Sequence, residues 1–169
     1  MAITRLDAIS ESKNKNDIHA NLKACIKRIC DPKKTENGYW IGGNAGLGVD
    51  SIIYTMLFNK SIWNKKDGRQ GYHYMVSFAP EDIISADDVY WFASEFAEEL
   101  LNDQYYYVTA VHTDTDKIHF HVIFDSVSNT TGKKYSSPKG DWAHRIQPIT
   151  DRLCEKYHVS VLEYSWKPE

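Results

Sequence analysis

No apolar run in the chain approaches the length of a membrane span, and its first residues, MAITRLDAIS, lack a signal peptide's apolar stretch. A membrane role is therefore not expected, and a cytoplasmic location is. Cysteine is scarce: Cys25, Cys30 and Cys154 are odd in number and show no zinc-type spacing, which points to reduced buried thiols rather than a disulfide framework. Internal repeats and low-complexity tracts are absent too. At 169 residues the chain suits one domain with volume for a real core.

A basic total is also missing. The net charge of -3 argues mildly against a nucleic-acid partner, but the average hides a segregation. Residues 13–34 hold seven lysines and arginines against two aspartates, while residues 81–103 hold eight acidic residues and no Lys or Arg. Phosphate binding needs a basic face, not a basic total. Two solvated helix faces of opposite sign would give the same pattern.

An opening strand is predicted over 2–9, then a helix over about 17–31 with Ile18, Leu22, Cys25, Ile26 and Ile29 at helical spacing, N-capped by Asn16 or Asp17 and stopped by Pro32. TENGYWIGGNAGLG reads as a loop holding a possible short strand. It is not a nucleotide fingerprint, because no strand-to-helix junction frames its glycines. A second helix is expected over 50–62, with Ile53, Met56, Leu57 and Lys60 on its flanks, and a strand over 72–78. Ser85 with Asp88 resembles a capping box for a helix over 86–101, amphipathic through Val89, Phe92, Phe96 and Leu100. A hairpin follows, then a polar connector, then a helix over WAHRIQPITDRLCEKY interrupted near Pro148 and restarting around Thr150. VSVLEYSW closes as a strand. This order is that of an α+β fold, a mainly antiparallel sheet carrying helices on one side.

The hairpin contains HTDTDKIHFHVIFD at 112–125, with three of the seven histidines. Side chains alternate along a strand, so His119, His121, Ile123 and Asp125 share one face, and Phe120, Val122 and Phe124 the other, the natural core face. With 113–118 as the loop, His112 lies across from His119, and paired residues point to the same side with Cβ atoms about 5 Å apart. Three imidazoles then converge on one point, which suits a divalent transition metal with positions left open for water or substrate. His73 is evenly divided between a structural and a site-lining role. His19, His144 and His158 read as surface or capping residues.

A His followed by His-hydrophobic-His seven and nine positions later resembles motif III of relaxases, the mobilisation endonucleases of the HUH superfamily. LKACIKRICDPKKTENGYWIGGNAG resembles the N-terminal segment of the P-type (MobA-like) relaxases of Gram-positive plasmids and integrative elements. DGRQGYHYMVSFAP resembles their second block, and KGDWAHRIQPITDRLCEKY the region after the metal motif. Nearly all 169 residues are covered.

The resemblance implies a five-stranded antiparallel sheet flanked by helices, as a single nicking domain over 1–169 at the N-terminal part of a longer protein. It implies that His112, His119 and His121 hold Mg²⁺ or Mn²⁺ (Zn, Ni or Co substituting) on the scissile phosphate of single-stranded origin-of-transfer DNA. A tyrosine attacks the phosphorus in such enzymes, leaving a 5′-phosphotyrosyl protein and a free 3′-hydroxyl. An accessory relaxosome protein and a coupling protein are the implied partners. Asp114 matches the acidic position that orients a ligand. Asp125 stands where the motif usually ends in Asn, an extra negative charge that would tighten metal binding or weaken phosphate binding.

The place of the attacking tyrosine is taken by Arg28, within KRICDPKKT. Arginine is permanently charged and cannot attack phosphorus at neutral pH, although it can hold a phosphate bidentately. Three explanations stand open: a natural or engineered inactive form that still binds DNA; attack by Tyr39, Tyr72 or Tyr74; or attack by His19. Nine residues at about 100° each put His19 on the opposite side of the helix from Arg28. Expected DNA contacts are Lys27, Lys33 and Lys34 beside Arg28, Lys133, Lys134, Lys139 and Arg145 after the metal strand, and Arg69 with the stacking rings Tyr72 and Tyr74 before it. Two other functions compete with a nicking relaxase: a catalytically silent DNA-binding module that uses the metal to grip phosphate, and a His₃ zinc hydrolase with no DNA role.

Overall fold

A computed structural model describes residues 3–161 and 163–164. The strands are β1 (Ile3–Ile9), β2 (Ile41–Gly43), β3 (Gly71–Ser77), β4 (Tyr107–His112), β5 (His119–Asp125) and β6 (Glu163–Tyr164). The helices are α1 (Ala20–Ile29), α2 (Val49–Ile62), α3 (Ala86–Leu101) and α4 (Gln147–Lys156), the last entered through a π-helical turn at Trp142–Ile146. Among the described residues the strands form one sheet in the order β2-β4-β5-β3-β1-β6. The first five are mutually antiparallel, as expected, and β6 adds a two-residue parallel edge against Ile3 and Thr4.

Helices cover both faces of this sheet, not one. Phe120, Val122 and Phe124 of β5 pack with Tyr74, Val76 and the apolar stripe of α3 and α4, as alternation predicts. The opposite face carries Val108, Ala110 and Ile123, and these bury Leu22, Ile26 and Ile29 of α1 with Ile52, Ile53 and Met56 of α2. These two helices bury those apolar residues against the sheet rather than leave them in water. They therefore cover part of the face on which the histidines lie.

Helix α1 is shorter than its periodicity suggests. The chain first makes a turn over 14–17, and Asp17 accepts from the backbone of His19 (3.2 Å) and Ala20 (3.2 Å), so the helix starts at Ala20. Helix α3 starts as predicted, Ser85 Oγ accepting from the Asp88 amide at 3.1 Å. Pro148 lies where the π-helical turn passes into α4 without a break, so the helix is not interrupted there and does not restart near Thr150. Val159–Val161 are not in a strand, and residues 162 and 165–166 of the expected closing strand lie outside the described residues.

Lys60 is not a flanking residue but a fully buried one, ion-paired to Asp125, which is also fully buried. Asn59 Nδ2 donates to Asp125 Oδ2 (2.8 Å) and to the Val127 carbonyl (2.9 Å), and the Val127 amide donates to Asp125 Oδ1 (3.1 Å). Burial pushes the carboxyl up and the amine down, each opposed by the other's charge. Asp125 is thus neutralised by Lys60, and it ends β5 four residues beyond His121, about 13 Å away at about 3.3 Å per residue. Its charge does not tune the histidine site, contrary to the expectation from the motif. Lys60→Met leaves a buried carboxylate uncompensated and should lower unfolding stability by about 3–5 kcal/mol. Urea denaturation measures the loss, and the double change Lys60→Met with Asp125→Leu should recover most of it.

Candidate metal centre and active site

The hairpin closes in the register that the histidines require. His112 pairs with His119, and Ala110 with His121, so one side of β4 and β5 carries three imidazoles. Ring centroids are 5.0 Å apart for His112 and His119, 4.4 Å for His112 and His121, and 5.2 Å for His119 and His121. One nitrogen from each ring lies within 4.8 Å of the others.

The second nitrogen of each ring is held from outside the cluster. His112 Nε2 meets the Ile29 carbonyl at 2.8 Å, which ties the last turn of α1 to the site. His119 Nδ1 meets the Lys117 carbonyl at 2.9 Å, and His121 Nδ1 meets Nε2 of His73 on β3 at 2.8 Å. The inward atoms are then His112 Nδ1, His119 Nε2 and His121 Nε2, the first two 3.2 Å apart. Nitrogens bonded to one ion at about 2.1 Å are about 3.0–3.4 Å apart at octahedral or tetrahedral angles. The first pair already has that spacing, and the widest pair would draw together by about 1–2 Å around an ion.

Electrostatics keep the rings available as ligands. Burial lowers His112, and it lowers His121 to about 2, with further lowering from its histidine neighbours and from Arg28. His73 is lowered to about 4 by burial first and by the Arg28 charge second. At neutral pH these rings are uncharged, the form that binds metal.

Arg28 is exposed on the last turn of α1, its charge felt at His73 and His121 and its Nη2 3.8 Å from Cys25 Sγ. Lys27 and Lys33 are exposed on the same segment. Lys34 acts by charge on His112, and its carbonyl accepts from the Thr113 amide at 3.1 Å, tying this basic segment to the hairpin loop. Asp114 does not orient a ring. It is exposed and, among the described residues, shares no hydrogen bond with any histidine; it reaches His112 through charge alone. Backbone carbonyls and His73 hold the rings instead.

Other sequence candidates lie elsewhere. Tyr72 (3 % exposed) and Tyr74 (0 %) point into the α3–α4 core, Tyr74 bonded to Thr150 at 2.9 Å, so neither ring is open to a base or to a phosphate. Tyr72 pairs with Phe124, about 16 Å along β5 from His119 at about 3.3 Å per residue. Arg69 donates to the Tyr72 hydroxyl at 3.1 Å. Arg145 is paired with Asp141 and bonded to Tyr135, whose ring is 4.9 Å from that of Tyr72, so neither arginine joins the histidines. Lys139 is exposed in the connector. His19 precedes α1 and bonds Gln70, which puts it at the end of the helix away from Ile29. Tyr39 is 72 % exposed in the loop after α1, its ring edge-on to Trp40 at 4.8 Å.

Sequence reasoning left His73 undecided. Alternation would have placed it with the histidines had the β3–β5 neighbourhood been known, but that pairing crosses 48 residues of chain.

Residues 14–159 match the family described as relaxase, MobA/VirD2-like, nuclease domain. The chain is 33% identical over 125 residues to a protein rlx of Staphylococcus aureus, covering 72% of this chain and 38% of that one. It is 25% identical over 120 residues to the group II intron-interrupted relaxase LtrB of Lactococcus lactis subsp. cremoris (strain MG1363), covering 64% of this chain and 21% of LtrB. The chain thus spans well under half the length of these relatives. A solved chain from work on the molecular basis of vancomycin resistance transfer in Staphylococcus aureus overlays with TM-score 0.53 at 14% identity, covering 99% of this chain and 100% of that one, which shows the shared fold. Among the described residues no helix is long and apolar enough to cross a membrane. With its histidine hairpin, its antiparallel sheet and a match over most of its length, the chain belongs to the MobA/VirD2-like relaxase family.

Proposed function

We propose that the chain is a nicking domain that binds single-stranded origin-of-transfer DNA and holds a divalent ion, Mn²⁺ or Mg²⁺, with His112, His119 and His121. The observation that carries this reading is the convergence of three imidazoles beside the basic last turn of α1. When bound, the ion withdraws charge from the non-bridging oxygens of the phosphate. Three imidazole nitrogens with no carboxylate among them also admit Zn²⁺, Ni²⁺ or Co²⁺, which such ligands hold more tightly than Mn²⁺. Arg28, Lys27, Lys33 and Lys34 hold the DNA backbone on either side of the phosphate. Arg69, Lys139 and Arg145 meet the strand only farther along, and Asp114 moderates the positive field at His112. An accessory DNA-binding protein and a coupling protein are partners of the same reading.

Arg28 favours a second reading: the domain grips the phosphate through the ion and the guanidinium without forming a covalent bond. A 3′-labelled oligonucleotide from the transfer origin of the parent element, incubated with the protein and Mn²⁺, separates the two. A labelled protein band on a denaturing gel supports nicking, with Tyr39 the exposed tyrosine nearest to Arg28 in sequence. Retention on a native gel with no covalent band supports the second. Four phosphate-directed cations predict a slope of log K against log salt of about -3 for single-stranded DNA. A flat salt dependence contradicts both readings and favours a His₃ zinc hydrolase.

A further inference from the structure

We propose that His73 is a positioning residue that fixes the tautomer and plane of His121, so that Nε2 of His121 is free for an ion; this rests on the metal-binding reading above. The register of β3 and β5 pairs Met75 with His121, and His73, two residues along β3, lies on the same face. Its Nε2 is 2.8 Å from His121 Nδ1, with ring centroids 5.0 Å apart and planes tilted by 37°.

A neutral imidazole has one donor nitrogen and one acceptor nitrogen. If His73 donated from Nε2, His121 Nδ1 would be the acceptor and its proton would sit on Nε2, where it blocks a ligand bond. If His73 accepts at Nε2, its own proton is on Nδ1, His121 donates from Nδ1, and His121 Nε2 carries a lone pair. Only the second arrangement binds metal, so the two rings are set in series. The other two rings are simpler, because the carbonyls of Ile29 and Lys117 can only accept. His73 is therefore the one outer partner in this cluster that can adopt the wrong polarity. An imidazole also leaves the ion's charge uncompensated, whereas an outer carboxylate, the more frequent partner, would offset part of it. That leaves more of the ion's field for an anionic phosphate.

The test uses Mn²⁺ binding without DNA, followed by the electron paramagnetic resonance signal of the free ion. His73→Phe keeps a ring of similar shape and removes the acceptor; it should weaken Mn²⁺ binding about 10–100-fold. His73→Asp returns an acceptor and should stay closer to the parent than to the Phe variant. Unfolding midpoints in EDTA check that each variant is folded. In the Cd²⁺-loaded parent, which needs no substitution, long-range proton–nitrogen spectra should show His121 protonated at Nδ1 and metal-bound at Nε2, and His73 protonated at Nδ1 with Nε2 free of metal. Equal Mn²⁺ affinity for the parent and the Phe variant overturns the role of His73 alone, as does a spectrum with His73 Nε2 bound to the ion. Absence of Mn²⁺ and Cd²⁺ binding by the parent overturns the metal reading and this role with it.

Discussion

His121→Ala removes Mn²⁺ binding at concentrations that saturate the parent, a loss beyond the about 100-fold expected for an outer partner. The reason lies in the geometry: His121 is 8 % exposed between His112 and His73, and both of the other candidate ligands face it across the gap where an ion would sit. Two remaining imidazoles leave a weak bidentate site. Mn²⁺-dependent retention of single-stranded DNA falls with it. His158→Ala is the control: His158 is exposed beyond α4 and, among the described residues, shares no hydrogen bond or ring contact with the cluster, so its loss leaves Mn²⁺ affinity where it was. Isothermal titration with Mn²⁺ reads both. Equal losses for the two variants contradict the assignment of the ligands.

The second large effect concerns the nucleophile. On the resemblance of KRICDPKKT to the relaxase helix, Arg28 would stand at the tyrosine position; in three dimensions it is exposed one residue before Ile29, whose carbonyl holds His112. A phenol there faces the same mouth. Arg28→Tyr should therefore raise the yield of covalent protein–DNA adduct about 10³-fold or more, the scale on which gain or loss of a nucleophile acts. The same change removes one phosphate-directed cation, so the salt slope should shallow by about 0.7. The paired result, more adduct with a weaker salt dependence, is specific to position 28. An unchanged adduct yield contradicts the placement of the nucleophile at this position, and mass spectrometry of the modified peptide then shows whether Tyr39 attacks.

Much of the fold could be read from local pattern. The hairpin was legible because alternation over 119–125 separates phenylalanines from histidines, and a loop of six residues forces His112 opposite His119. Helix α3 was legible from Ser85, Asp88 and a clean apolar stripe. The missed features are those made by contacts distant in sequence. Nothing local shows that α1 and α2 return over the histidine face, because their stripes fit either side of the sheet. Lys60 reads as a solvated lysine until Asp125, 65 residues away, is brought to it. Tyr72 and Tyr74 look like stacking platforms in a basic stretch, but β3 is a central strand and alternation turns both into the core. The supports of the rings escaped for a different reason: two are backbone carbonyls, which carry no side-chain signature, and the third, His73, lies on another strand.

Anomalous diffraction from crystals grown with Mn²⁺ tests the central claim most directly. The predicted result is one peak bonded to Nδ1 of His112, Nε2 of His119 and Nε2 of His121, with remaining positions open to water or phosphate. A peak away from these nitrogens, or none at saturating Mn²⁺, would contradict it.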